Sequence, residues 1–188
     1  MPRFTRAELD GFRDTEIPDL VGDDRRLLFV GINPGLWTAA VQTHFAHPAN
    51  RFYPALLAAG ILERRIDPAT GMTEEDRAYF VSRGLGITNL VRRATARADE
   101  LSSEELRAGG ARLTADVASW RPRVVAIAGI TAYRAAFGAR GATPGRQPGT
   151  FAGAELWVVP NPSGLNAHET VATLATAYRA AAEAAGVV

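Results

Sequence analysis

Cysteine and lysine are both absent from this 188-residue chain. Without cysteine, the chain can form no disulfide bond, no thiolate zinc site and no cysteine-ligated iron–sulfur cluster. Without lysine, it cannot act through a lysine Schiff base, and all 21 of its basic residues are arginines. These two absences exclude several classes of redox and covalent chemistry.

Long apolar runs and a large excess of one charge are missing as well. No run reaches the roughly 20 apolar residues of a membrane-spanning helix, and the chain does not open with a signal-peptide pattern. The formal net charge is only +1, so any basic surface must be a local patch. The histidines at 44, 47 and 168 lack the spacing of a metal site. We therefore expect a cytoplasmic protein with no membrane partner, no metal and no cofactor.

Two apolar strands that each end at a tight polar turn are the main feature that is present. The first covers residues 27–30 and stops at Asn33-Pro34-Gly35, and the second covers residues 155–160 and stops at the turn 161–165. Apolar runs without alternation are typical of strands buried on both faces of a parallel sheet. Because ligands bind at the carboxyl ends of such strands, we expect the two turns to border one cleft.

The rest of the chain alternates between strand and helix patterns, after an N-terminal arm of residues 1–22. Further strands are predicted at 86–91 and 123–129, a Gly/Pro-rich irregular loop at 138–150, and helices at 48–60, 73–83, 102–120, 131–137 and 168–185. This alternation predicts a single domain over residues 1–188, built as a three-layer α/β/α sandwich around a mainly parallel sheet of four to five strands.

Taken one at a time, the candidate site residues have ordinary structural explanations. Asn33 can be a turn residue, Phe45 a core residue, and the arginine-rich stretch 92–97 a solvated loop. The glycines beside Asn33 match neither the phosphate-binding loop nor the dinucleotide fingerprint. The residues alone therefore leave open a non-catalytic α/β module that binds nucleotides or DNA, and a hydrolase of free nucleosides or nucleotides.

Three motifs in order carry a more specific signal. Residues 31–36 read Gly-Ile-Asn-Pro-Gly-Leu, residues 45–52 read Phe-Ala-His-Pro-Ala-Asn-Arg-Phe, and residues 161–165 read Asn-Pro-Ser-Gly-Leu. With Thr88-Asn89 and the run 101–110 between them, they closely resemble the mismatch-specific uracil-DNA glycosylases, the family that includes the thymine-DNA glycosylases. The resemblance extends from about residue 17 to the last predicted helix, and it implies a uracil-DNA glycosylase-like fold.

This resemblance implies an enzyme of base-excision repair, which we expect to be a monomer, and the absence of lysine predicts that it is monofunctional, because no lysine amine is present for β-elimination. It would flip uracil out of G·U-mismatched double-stranded DNA and hydrolyse the N-glycosidic bond, leaving an abasic site, with thymine and ethenocytosine as further lesions to test. Asn33 would be the catalytic residue that holds the attacking water. The base pocket would consist of Ile32, Gly35, Thr38, Phe45 and Asn89. Pro2 is the alternative nucleophile, should removal of Met1 make it the amino terminus.

The turn after the second strand corresponds, in this resemblance, to an intercalating wedge. Contacts with the DNA stack and backbone would come from Asn161, Pro162, Ser163, Gly164, Leu165 and Asn166. Phosphate contacts would come from Arg51, Arg92 and Arg93. Members of the family often carry an arginine two residues after the leucine, whereas this chain has Asn166-Ala167 there. Recognition of the opposite guanine would therefore depend on backbone groups of this turn.

Overall fold

A five-stranded sheet forms the middle layer of the computed structural model, which describes residues 4–188. The strands are β1 (Leu27–Gly31), β2 (Leu85–Asn89), β3 (Val124–Ala128), β4 (Gly145–Arg146) and β5 (Glu155–Val159). They lie in the order β2-β1-β3-β5-β4. Among them, only β4 runs antiparallel to its neighbour. The predicted mainly parallel sheet is confirmed.

Helices cover both faces of this sheet. Within the described residues they are α1 (Arg6–Asp10), α2 (Leu36–Ala40), α3 (Phe52–Ala58), α4 (Glu74–Ser82), α5 (Ser103–Trp120), α6 (Ile130–Phe137) and α7 (Val171–Ala185), with 3₁₀ turns at Pro68–Thr70 and Ala98–Glu100. None of these helices combines the length and apolar character needed to cross a bilayer. The three-layer α/β/α architecture is therefore as predicted.

Strand β1 shows why the central strands lack hydrophobic alternation. Leu27 and Phe29 pack in one core with residues of α3, α4 and α7, whereas Leu28 and Val30 pack in a second core with residues of α5 and α6. Every residue of β1 is buried. Because side chains alternate between the two faces and both faces are covered, each position must be apolar.

Helix α5 lies very close to the end of β2. A Cβ atom added to Gly109 would lie 2.1 Å from the carbonyl oxygen of Leu90. Glycine in a helix interior costs about 1 kcal/mol relative to alanine, but here any side chain would push the helix off the sheet. This close packing fixes the start of the segment 90–95, which follows β2 and ends at Thr95, a residue of the cleft described below.

Two helices begin later than the sequence predicts. The predicted helix 48–60 begins only at Phe52, whose N–H donates to the side-chain oxygen of Asn50 at 2.9 Å. The predicted helix 168–185 begins only after Thr170, which caps α7. In both cases a polar side chain satisfies a free N–H of the first turn and so marks the true start.

Two short elements were not predicted. The strand β4 lies inside the predicted irregular loop 138–150, where its two residues pair with β5. The helix α2 follows directly after Gly35 and has only five residues. Elements this short contain too few residues for a hydrophobic period to show in the sequence.

Of the predicted N-terminal arm, residues 1–22, the described part from residue 4 contacts the fold at a few points, although most of its side chains stay exposed or partly exposed. Ile17 is buried, and Leu20 exchanges two backbone hydrogen bonds with Ile87, at 2.9 and 2.8 Å. The segment therefore extends the β2 edge of the sheet by a bridge. Pro2 lies outside the described residues.

Candidate active site

A cleft of about 860 Å³ opens at the carboxyl ends of β1, β2 and β5. Both polar turns border it, which confirms the expectation that they share one cleft. The predicted site residues that line it are Ile32, Asn33, Gly35, Thr38, Phe45, Asn89, Asn161, Ser163, Gly164, Leu165 and Asn166. Its volume is near the upper end of the range for small-molecule sites, about 300–1,000 Å³, so it has room for more than one base.

The side chain of Asn33 is held at its nitrogen end. Its Nδ2 faces three acceptors: the carbonyl oxygens of Pro34 at 3.2 Å and Arg93 at 3.1 Å, and the hydroxyl oxygen of Thr95 at 2.8 Å. The Thr95 hydroxyl donates its own proton to the carbonyl of Arg97 at 2.7 Å, so toward Asn33 it can only accept. Oδ1 of Asn33 receives no hydrogen bond from residues 4–188. The amide therefore presents a carbonyl oxygen that can accept from a water.

The side chain of Asn89 is oriented by a buried histidine. Nε2 of His44 lies 3.0 Å from the carbonyl oxygen of Pro18, and Nδ1 lies 3.1 Å from Nδ2 of Asn89. Burial lowers the pKa of His44 to about 4, so the ring is neutral at physiological pH. Because the carbonyl can only accept, Nε2 carries the ring proton and Nδ1 accepts from the amide. Asn89 keeps one N–H and its Oδ1 for another partner.

Phe45 has an unusual backbone conformation at the cleft. Its φ angle is +55°, in the left-handed region that bulky residues rarely adopt. Its ring stacks on Phe52, with centroids 4.2 Å apart and planes inclined by 26°. No residue of the described chain accepts a hydrogen bond from its N–H. Such local strain is characteristic of functional positions.

Gly31, the last residue of β1, makes room for both Phe45 and Asn89. A Cβ atom there would lie 2.4 Å from Oδ1 of Asn89 and 3.1 Å from Cζ of Phe45. Only glycine lets these two side chains lie against the end of the strand.

Thr38 and Gly35 lie on the floor and the rim of the cleft. The Thr38 hydroxyl accepts a hydrogen bond from the N–H of Ala46 at 3.3 Å, and the residue is 5% exposed. A Cβ atom added to Gly35 would have no neighbour within 4 Å. Gly35 therefore leaves open space at the rim, whereas Thr38 holds the chain next to Phe45.

Residues 161–166, called the 161–166 loop from here on, form a tight structure with an apolar tip. The N–H of Ser163 donates to Oδ1 of Asn161 at 3.0 Å, and the N–H of Leu165 donates to Oγ of Ser163 at 3.3 Å. Leu165 is 80% exposed, the highest value among the large apolar side chains described. Gly164 lies against Ala49, where a Cβ would come within 2.8 Å of the alanine. Pro162 is buried and does not line the cleft.

The three predicted phosphate contacts all have partners inside the protein and do not line the cleft. Arg92 pairs with Asp19 at 2.7 Å, and Arg93 pairs with Glu105 at 2.5 Å. The guanidinium of Arg93 is the main reason that the pKa of Glu105 falls to about 2. Arg51 donates to main-chain carbonyls of the 161–166 loop. Because these partners occupy the three guanidinium groups, this conformation does not favour phosphate binding by Arg51, Arg92 or Arg93. Phosphate contact by these arginines stays a prediction.

Sequence reasoning missed several residues of this cleft. His44 and Thr95, which orient the two asparagines, were assigned no such role, and α1 was not expected to reach the site. The cleft is also lined by Arg6, Leu9 and Asp10 from α1 and by residues 96–99. Within residues 4–188, no three His, Asp or Glu side chains are grouped as metal ligands.

Comparison with known proteins assigns the chain to a family. The family model of the uracil DNA glycosylase superfamily matches residues 18–183. The solution NMR structure of a candidate uracil DNA glycosylase from Methanosarcina acetivorans matches with a TM-score of 0.57 and 16% sequence identity, over 88% of this chain and 98% of that one. At that identity the structural match shows the fold, whereas the family model covers most of the chain. The chain belongs to the uracil DNA glycosylase superfamily.

Proposed function

We propose that this protein is a monomeric, monofunctional, mismatch-specific uracil-DNA glycosylase. It flips uracil out of double-stranded DNA opposite guanine and hydrolyses the N-glycosidic bond, leaving an abasic site for repair. The observation that carries the proposal is the orientation of Asn33, whose amide nitrogen is bound by three acceptors while its carbonyl oxygen stays available at the cleft.

Asn33 acts by positioning a water. A carboxamide is too weak a base to remove a proton early, so its contribution is orientation, which is a large part of many rate enhancements. The C1′–N1 bond breaks first, which leaves an oxocarbenium-like sugar and a uracil anion. The water oxygen then bonds to C1′, and its released proton passes to the uracil anion or to solvent. This order suits a site with no strong base on the water.

Backbone and amide donors stabilise the departing uracil. The N–H of Phe45, which has no hydrogen-bond partner in the described chain, donates to a uracil oxygen in the manner of an oxyanion hole. The free N–H and Oδ1 of Asn89 complement the acceptor and donor on the edge of uracil. The ring of Phe45, already stacked on Phe52, provides a platform for the base.

The 161–166 loop supplies the wedge. Leu165 is exposed and apolar, as a side chain must be to fill the gap left by a flipped nucleotide, and its filling offsets part of an unstacking cost of a few kcal/mol. Since Asn166 and Ala167 replace the usual arginine, backbone groups of this loop read the opposite guanine.

A substrate panel tests the proposal. Release of free base is measured under single-turnover conditions for duplexes with uracil, thymine or ethenocytosine opposite guanine or adenine, for single-stranded uracil DNA and for free deoxyuridine. We expect the fastest release from G·U duplexes, an intact abasic product, and no covalent adduct on borohydride treatment. Release from free deoxyuridine alone indicates a nucleoside hydrolase, and DNA binding without release indicates a non-catalytic module. A trapped adduct contradicts monofunctional chemistry.

A further inference from the structure

Arg51 forms a set of hydrogen bonds that is unusual for an arginine near a DNA-binding cleft. Its guanidinium donates to the carbonyl oxygens of Ser163 at 2.6 Å, Asn166 at 2.8 Å and Glu169. Its own backbone N–H donates to the carbonyl of Pro162 at 3.0 Å. It forms no ion pair with any residue from 4 to 188. One residue thus holds four carbonyls of the chain segment that carries Leu165.

Arg51 is attached to a well-packed part of the core. Arg51 directly precedes α3, and the next residue, Phe52, is fully buried among Phe29, Phe45 and Tyr178. The 161–166 loop is therefore bound to the same chain segment that packs against Phe45, the proposed stacking surface for the uracil base. The tight contact between Gly164 and Ala49 adds a second point of support.

We propose that Arg51 is a positioning residue that holds the 161–166 loop in the shape needed for insertion of Leu165. This inference rests on the proposed function. The 80% exposed Leu165 contributes no burial that could hold the loop tip in the free protein, so besides the packing of Pro162 and Gly164 the loop depends on polar contacts such as those of Arg51. The planar guanidinium fork can bind several carbonyls at once, which a lysine ammonium cannot do with the same geometry.

Pre-ordering matters because an unordered loop loses conformational entropy when it enters the DNA stack. Fixing the backbone of each residue carries an entropic cost. With Arg51 in place, that ordering is already present before DNA binds. Loss of this ordering should therefore slow excision only from duplex DNA, where the flipped nucleotide leaves a gap in the base stack. Single-stranded uracil DNA has no such gap and needs no wedge.

The test compares Arg51→Met and Arg51→Lys with Leu165→Ala and the double variant Arg51→Met/Leu165→Ala. Arg179→Met is the matched control, because Arg179 also donates to a main-chain carbonyl, that of Ala59 at 3.0 Å, but lies away from the loop. We expect Arg51→Met to slow excision from G·U duplexes by about tenfold to a hundredfold, as a misplaced group does. Single-stranded excision should change by less than about threefold, and Arg51→Lys should lie between wild type and Arg51→Met.

The double variant separates a wedge role from a general one. If Arg51 acts through Leu165, its replacement costs nothing further in the Leu165→Ala background. A phosphate contact would instead lower the salt slope of binding by about one and slow both substrates. Equal losses on both substrates with a lower melting temperature indicate a purely structural role. Either of these two results overturns the inference.

A readout that does not need activity keeps the inference separate from the proposed function. In Arg51→Met, amide hydrogen exchange within residues 161–169 should become faster, whereas in Arg179→Met it should not change there. Unchanged exchange in Arg51→Met overturns the positioning role even if the enzyme excises uracil. Faster exchange in a protein that releases no base would mean that Arg51 orders the loop and that the proposed function has failed.

Discussion

The two ends of a carboxamide have nearly the same shape and opposite hydrogen-bonding character, so its neighbours decide what it can do. At Asn33 the neighbours are Thr95 and two backbone carbonyls, and at Asn89 the neighbour is His44. Each partner fixes the nitrogen end and leaves an oxygen at the cleft. At the scale of single residues, the chemistry of this site therefore depends on four side chains and not on two.

Replacement of Asn33 tests the catalytic assignment directly. Asn33→Ala removes the oxygen that would hold the water, and we expect single-turnover excision to fall by about 10²–10⁴-fold, with little change in DNA affinity. Asn33→Asp should retain more activity, since a carboxylate also binds water. It should also unfold at a lower temperature, because its second oxygen would face the carbonyls of Pro34 and Arg93. Near-normal excision rates in Asn33→Ala would mean that Asn33 only shapes the turn and does not take part in catalysis.

Thr38 provides a test of base selection. We expect uracil to be preferred over thymine because the methyl group of Thr38 crowds the 5-methyl group of thymine, an effect worth about 1–3 kcal/mol. The informative variant is Thr38→Ser, which keeps the hydroxyl that accepts from Ala46 and removes only the methyl. Thr38→Ala, which also loses that hydrogen bond, serves as the comparison. An unchanged thymine-to-uracil rate ratio in Thr38→Ser would place Thr38 away from the methyl group.

The buried histidine predicts a pH dependence of stability. The pKa of His44 is about 4 in the folded protein and about 6.5 when exposed. As pH falls from 6.5 toward 4, the unfolded chain binds a proton that the folded chain does not. The free energy of unfolding therefore falls, by up to about 3 kcal/mol from this residue. Urea titrations between pH 7 and 4.5 should show a smaller decline for His44→Gln than for wild type. Parallel declines would contradict the assignment.

The sequence points to residues of the cleft more readily than to the partners that orient them. Asn33, Thr38, Phe45 and Asn89, which are predicted site residues, all line the cleft. Thr95 is 62 positions from Asn33, and His44 is 45 positions from Asn89, so nothing local links the pairs. Such partnerships arise only when strands separated in sequence lie side by side in the sheet.

At the scale of elements, the proposed wedge role of the 161–166 loop can be tested on its apolar tip. We expect Leu165→Ala to slow excision from G·U duplexes by at least about tenfold more than excision from single-stranded uracil, because a wedge acts only where a stack must be refilled. Since Leu165 is exposed, the substitution should leave the melting temperature unchanged. Leu57, a 39% exposed leucine on α3, provides the matched control variant Leu57→Ala. Equal losses on both DNA substrates would contradict the wedge.

Element prediction succeeded where buried apolar runs marked the strands and failed where capping side chains set the ends of helices. The strands β1 and β3 were found because both faces are covered and the apolar runs are continuous. The starts of α3 and α7 were misplaced because caps, and not hydrophobic pattern, determine them. The orientation of the Arg51 side chain could not be read either, since its partners come from the other end of the chain.

At the scale of the whole molecule, internal ion pairs limit how strongly phosphates can be bound. The net charge is +1, and the half-buried arginines Arg92 and Arg93 are paired with carboxylates. Two arginines at the cleft are more available. Arg6 forms no ion pair within residues 4–188, and Arg97 pairs only with Asp99, where both side chains are exposed. An exposed pair is worth little, so a phosphate can replace the carboxylate.

The salt dependence of DNA binding should reflect this count. With Arg6 and Arg97 as the two phosphate contacts, the logarithm of the association constant should fall with the logarithm of salt concentration at a slope of about −2. The measurement uses a G·U duplex and the Asn33→Ala protein, which is expected to bind without turnover. Arg6→Gln and Arg97→Gln should each reduce the slope by about one. Arg92→Gln is the control and should leave it unchanged, because that guanidinium is bound to Asp19. A slope of about −4 would mean that the internal ion pairs open on DNA. A flat response would contradict DNA binding through this cleft, since the wedge and base pocket alone release no counterions.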